Sequence, residues 1–172
     1  YVGLRTEKGF YEEGDDVEVE VLVVDLEGER VADVDVSVLL ERREHKRIDG
    51  TWQETTTESR PCDTRSRSEA TTCAFEALDG GTWRVVASLV DREGRENRTS
   101  MTVYVSGWDQ PPQRAVTMET VQLVPDKEQH QPGETARILV VAPFSPAEGL
   151  LTVQRAGVVS QEAFSMEGST HT

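Results

Sequence analysis

The sequence predicts an all-β chain of tandem antiparallel β-sandwiches, the second of them incomplete, and three observations predict it. Apolar residues recur with period two: Val17, Val19, Val21 and Val23 alternate with Glu18 and Glu20, and Val34, Val36, Val38 and Leu40 with Asp35 and Ser37. Glycine turns punctuate these runs at the spacing of a sandwich rather than of a helix bundle. A segment also recurs along the chain. Leu4-Arg5-Thr6-Glu7-Lys8, then Gly14-Asp15 and an apolar run, is matched by Leu123-Val124-Pro125-Asp126-Lys127, then Gly133-Glu134 and another apolar run. The offset is 119 residues throughout, and a fixed internal period is the sequence signature of repeated modules.

Taken in order, the first copy supplies seven strands. Val2 to Thr6 opens it, and the valine run 17–23 follows the turn at Gly14. Gly28 turns the chain into Val34–Leu40, whose continuation to Lys46 reads as a strand with a charged exit, not a helix. The threonine-rich Trp52–Glu58 and the β-prone Thr71–Phe75 come next. Gly80-Gly81 opens Trp83–Val90, and the turn Asp91-Arg92-Glu93-Gly94 leads to Met101–Val105. Residues 1–107 therefore read as one seven-stranded sandwich and 108–117, carrying Pro111-Pro112, as a stiff linker. Residues 118–172 read as the N-terminal part of a second sandwich, with strands at Val121–Val124, Ala136–Val141, Leu150–Gln154 and Val158–Phe164. A sandwich of this type takes about 100 residues, so the second is expected to be truncated or completed by another segment. Its open edge would then be free to pair with another copy. With Tyr1 at the start of a strand pattern and no leader, the chain is expected to be an internal piece of a longer protein.

Composition excludes several function classes. Eighteen Lys and Arg stand against 32 Asp and Glu, a net charge of −14. Phosphate backbones and anionic membrane surfaces repel such a chain, so nucleic acid is not an expected partner. No apolar run approaches the ~18 residues of a membrane-spanning helix, and direct membrane insertion is not expected. Cys62 and Cys73 fit no zinc pattern, and His45, His130 and His171 are scattered, so no metal or other cofactor is expected. The two cysteines, 11 residues apart in one module, are expected to form a disulfide in an oxidising compartment. Two buried free thiols are the alternative. No nucleophile elbow, zinc-protease helix or phosphate loop is present, no catalytic residue is nominated, and the chain is not expected to be an enzyme.

Three further features have structural readings beside functional ones. Glu12-Glu13-Gly14-Asp15-Asp16 has the oxygens of a calcium site but not the alternate spacing of a calcium loop, and reads as a solvated acidic turn. Asn97-Arg98-Thr99 fits the glycosylation acceptor pattern, which often arises by chance. Trp52, Trp83 and Trp108 could make a ligand platform, but Trp83 at the head of an apolar strand suits the core, and Trp108 beside the diproline suits a domain junction.

Tyr1-Val2-Gly3-Leu4, Lys8-Gly9-Phe10, Asp25-Leu26-Glu27-Gly28 and Val105-Ser106-Gly107-Trp108 resemble a macroglobulin domain of the alpha-2-macroglobulin family. Leu123-Val124-Pro125-Asp126-Lys127, Gln131 to Ala136, Ala142-Pro143-Phe144 and Leu150 to Val153 resemble the start of that family's bait-region domain. The resemblance implies fibronectin type III-like or immunoglobulin-like macroglobulin domains of a secreted or periplasmic broad-spectrum protease inhibitor, leaning towards a bacterial member, with anchoring to a membrane through the parent's N-terminus as an option. Its partners would be neighbouring domains of the parent and, through the parent, target proteases. The family's thioester needs Cys-x-x-Gln; Cys62 leads into Asp63-Thr64-Arg65 and Cys73 into Ala74-Phe75-Glu76, so no thioester is expected here. The expected role is scaffold. A cell-surface adhesion or ligand-binding module, or an accessory β-domain of a secreted hydrolase, are the alternatives, since sandwiches host many functions.

Overall fold

A computed structural model describes residues 1–76, 78–107 and 120–172, the side chains of His45 and Trp52 excepted. The described chain is all-β, with thirteen strands and no helix: β1 (Val2–Thr6), β2 (Phe10–Tyr11), β3 (Val17–Val23), β4 (Asp35–Ile48), β5 (Thr51–Arg65), β6 (Thr71–Phe75), β7 (Gly81–Val90) and β8 (Glu96–Val105) precede β9 (Gln122–Pro125), β10 (Ile138–Val141), β11 (Ala147–Gln154), β12 (Val158–Met166) and β13 (Thr170–His171). The linker expected at 108–117, with Trp108 and the diproline, lies outside the described residues.

Strands β1 to β8 form a two-sheet sandwich. One sheet has the order β1-β3-β6 and the other β2-β8-β7-β4-β5. Eight strands stand where the sequence reading counts seven. The additional one is β2, which pairs in parallel with the end of β8 through Phe10↔Tyr104 and Tyr11↔Val105. Two residues cannot display a period. Period-two alternation fills the space between the sheets: Val17, Val19, Val21 and Val23 from β3 meet Val36, Val38 and Leu40 from β4, Trp83, Val85 and Ala87 from β7, and Val103 and Val105 from β8. Each such aliphatic side chain contributes about 1.5–3 kcal/mol by leaving water.

Beyond the core the β4–β5 hairpin continues as an arm. β7 covers β4 only from Ser37 to Arg43, whereas β4 and β5 stay paired as far as Ile48↔Thr51. Past the bulge at Arg42/Arg43 the two strands carry mainly charged residues and threonine, so neither face can be buried and the ribbon leaves the sandwich.

The later strands make a three-stranded sheet, β13-β10-β9, and the hairpin β11-β12. The 119-residue offset is kept in the pairing register. Leu4↔Val21 and Thr6↔Val19 of β1–β3 become Leu123↔Val140 and Pro125↔Ile138 of β9–β10. The intervening turn is also repeated. Asp15 N donates to Glu12 O at 2.9 Å and Glu134 N to Gln131 O at 3.0 Å. Glu12 N donates to Asp15 Oδ2, and Gln131 N to Glu134 Oε2. Lys8 pairs with Asp15, and Lys127 with Glu134. Gly14 and Gly133 sit at φ 87° and 90°, a backbone state that a Cβ disfavours.

In this correspondence β13 takes the place of β6, and β11–β12 the place of β4–β5. Among the described residues β11 pairs only with β12, on the side opposite to the one where β4 takes β7. Leu150 and Val153 are accordingly more than half exposed.

Candidate functional site

The expected disulfide pair is joined. Cys62 lies on β5 at the edge of the five-stranded sheet and Cys73 on β6 at the edge of the three-stranded one, so the bond staples the two sheets together. Cys73 is fully buried. A disulfide of this kind belongs to an oxidising, non-cytoplasmic compartment. Among the described residues, no helix is long and apolar enough to cross a membrane.

Trp52 and Trp83 stand on different parts of the first sandwich. Trp83 is fully buried, with Nε1 donating to Asp79 O at 2.9 Å. The guanidinium groups of Arg42 and Arg60 lie 5.9 and 5.4 Å from its ring centre. Both are themselves tied down, Arg42 to Gly80 O and Arg60 to Glu76 O. A cation facing an indole is a favourable contact, and here it closes the core instead of leaving the ring for a ligand. Trp52 pairs in the backbone register with Arg47 on the arm, while Trp83 is level with Arg42. Five strand positions separate those rows, about 17 Å at 3.3 Å per residue. Trp108 lies outside the described residues.

Two carboxylates of the acidic turn, Glu12 and Asp15, are engaged in ion pairs and backbone contacts. Glu12 pairs with Arg137 across to the second strand group, and Asp15 serves Lys8 and the backbone of Glu12. Among the described residues no three His, Cys, Asp or Glu side chains are grouped to hold a metal ion. His130 Nε2 lies 2.9 Å from Asp126 Oδ1, and the ring of His171 stacks on Phe164. Asn97, the first residue of the glycosylation pattern, accepts a hydrogen bond from Val2 N at 2.8 Å, which fixes β1 against the start of β8.

The sequence reading missed a groove at one end of the first sandwich, about 1350 Å³ in volume, between the residue 24–37 connection, the end of β5 and the β7–β8 turn. Its two turns share one design. Asp25-Leu26-Glu27-Gly28-Glu29 and Asp91-Arg92-Glu93-Gly94-Arg95 have the same Asp-x-Glu-Gly-x pattern, a signal legible in the sequence. In each, the aspartate Oδ1 accepts from the backbone N–H groups two and four residues on: Glu27 and Glu29 in one, Glu93 and Arg95 in the other. Backbone and side-chain hydrogen bonds from Arg95 hold the Asp91 carboxyl below its ordinary range. Carboxylates outnumber cations around the groove, but Arg65 faces Asp33 and Asp35, and Arg95 faces Asp91 and Glu93.

No protein-family model matches the chain, and neither does any curated protein. Among solved structures it is similar to the native conformation of E. coli alpha-2-macroglobulin, at 19% identity and a TM-score of 0.41 over 92% of this chain. It is also similar to the sporulation control protein Spo0M of Bacillus subtilis, at 15% identity and a TM-score of 0.40 over 95% of this chain and 89% of Spo0M. The chain spans about a tenth of the macroglobulin's length, 10%. At these values neither similarity says what the chain does.

Proposed function

We propose that this chain is scaffold, two consecutive sandwich modules divided near residues 108–117, of a secreted or periplasmic alpha-2-macroglobulin-like protease trap. The observation that carries the reading is the repeated turn-and-strand register at an offset of 119, which makes the two strand groups copies of one architectural unit. The residues carrying the macroglobulin resemblance fall on that unit: Leu4 and Leu123 in its first strand, Lys8 and Lys127 in its ion-paired turn. The side chains that could bear chemistry support the same role. Trp83, Cys62 and Cys73 are in the core or the staple, and Glu12 and Asp15 of the acidic turn are ion-paired. In this reading bond-making chemistry belongs to other parts of the parent, and the partners are neighbouring modules. The isolated chain, mixed with trypsin-like and subtilisin-like proteases, is expected to leave their activity unchanged and to take up no methylamine. Stoichiometric inhibition or covalent methylamine incorporation would overturn the assignment.

A second reading, a ligand-binding or adhesion module, is favoured by the groove at the end of the first sandwich. Saturable binding of one defined ligand, abolished by a bulky residue at Ser37 in the groove wall, would support it over scaffold.

A further inference from the structure

The two strand groups touch through residues in which the repeats differ. Gly9 N donates to Asp126 O at 2.8 Å. The Arg137 guanidinium lies 5.7 Å from the centre of the Phe10 ring and pairs with Glu12. Phe10 is 3% exposed, yet it is not a member of the cluster that fills the first sandwich, and the contact over its ring comes from the second strand group. Gly9 is required by close approach: a Cβ there would overlap the carbonyl oxygen of Pro125. The Asp126 carboxylate is held by His130 Nε2 at 2.9 Å and by Arg137 N at 3.2 Å, so the incoming corner is shaped from within its own sheet.

The offset of 119 shows how selective this contact is. Positions 9, 10 and 12 of the first copy correspond to Glu128, Gln129 and Gln131 in the second, and Asp126 and Arg137 correspond to Glu7 and Glu18 in the first. At the positions of Gly9 and Phe10 the second copy has Glu128 and Gln129, and at the position of Arg137 the first has Glu18, a glutamate where the corner needs its arginine. The turns that fold each unit are kept while the residues that join them have diverged in charge and size. Dissimilar faces of this kind dock in one order only.

We propose that Gly9, Phe10 and Glu12 form a socket, and Pro125, Asp126 and Arg137 a key, of an intramolecular latch that makes the two modules tumble as one rigid body. The latch is held by a few exposed polar contacts and one ring, so it closes without being locked. It stands whether or not the parent protein traps proteases.

The test is ¹⁵N relaxation on the full 172-residue chain, with rotational correlation times fitted separately to amides of β1–β8 and of β9–β13. The wild type is expected to give one common time. Gly9→Val is expected to give two shorter, unequal times while the amide dispersion of both groups is retained. Gly3→Ala, whose Cβ would meet only Leu22 O at 3.8 Å, is expected to keep the single time. Glu12→Arg and Arg137→Glu should each raise the open fraction several-fold, and the double swap should lower it again. Two independent times in the wild type, or a single time in Gly9→Val, would overturn the latch.

Discussion

Removing the staple between the sheets gives the most calculable perturbation. In the double variant Cys62→Ala/Cys73→Ala, the closed segment has a sequence separation of 11. Loop-closure entropy for a segment of that size amounts to about 2.8 kcal/mol at 25 °C. Cys73 is fully buried, so truncating it also removes packing, and the double variant measures both effects together. Reduction of the wild-type bond removes the crosslink while leaving both sulfurs in place, and isolates the entropic part. For a domain of about 100 residues, 1 kcal/mol moves Tm by roughly 4–8 °C, so reduction is expected to lower the midpoint of the first sandwich by at least 10 °C. Scanning calorimetry under oxidising and reducing conditions reads the shift, and thiol counting under denaturing conditions reports the state of the bond. A reduced midpoint within about 3 °C of the oxidised one would refute the reasoning, because the crosslink would then constrain nothing that the hydrogen-bonded sheets had not already fixed.

Three other outcomes follow from the same structure. Trp83→Ala should cost about 3–5 kcal/mol in urea unfolding, because it empties the largest fully buried side-chain site among the described residues and leaves Asp79 O without its donor. Gly14→Ala and Gly133→Ala should each destabilise their own strand group by about 1–2 kcal/mol, since open space surrounds both and only the positive φ is penalised; Gly133→Asn should cost less, and equal stability of Gly133→Ala and wild type would refute the shared turn. Asp91 has a folded pKa below its ordinary value of 3.8, so its stabilisation is complete above that value and is lost as pH falls through the folded pKa. Amide exchange at Glu93 and Arg95, corrected for intrinsic rate, should therefore accelerate on acidification in the wild type and show no such step in Asp91→Asn.

What was legible in the sequence was whatever obeys a local rule. The strand 17–23 stands where its alternation puts it, and 71–75 and 2–6 stand where the sequence reading places them, because each buries one face against the other sheet. Trp83 was readable as core because its own strand is apolar. β5 was read as ending at Glu58, because residues 59–65, although they run along β4 at the edge of the sandwich, carry no apolar alternation to mark a strand. β2 was invisible at two residues, and its parallel partner lies more than ninety positions away in the sequence. The latch left no local trace. Glu12 and Arg137 are ordinary surface charges until the fold brings together residues 125 apart. The twin Asp-x-Glu-Gly-x turns could have been found by comparing the two loops directly.

The acidic surplus then takes on a structural meaning. In turn after turn a carboxylate accepts backbone N–H groups that no strand partner reaches: Asp25 and Asp91 at one end of the sandwich, Asp15 and Glu134 in the repeated turns, Asp126 at the latch. A charged acceptor makes a stronger bond to the backbone than a neutral one, and a second contact to Lys8, Lys127, Arg95 or His130 fixes its direction. For Glu134 the Lys127 ammonium is the main cause of a lowered pKa; for Asp126 partial desolvation, which raises it, is outweighed by His130 and the backbone of Arg137. Protonation below the ordinary carboxylate range therefore weakens the corners while the apolar contacts of Val17, Val38 and Trp83 persist. Corners at 126 and 134 flank the latch, so acid should free the two modules from one another before it unfolds either. If the two strand groups still shared one correlation time down to the pH at which they begin to unfold, the carboxylates would not be what holds the corners.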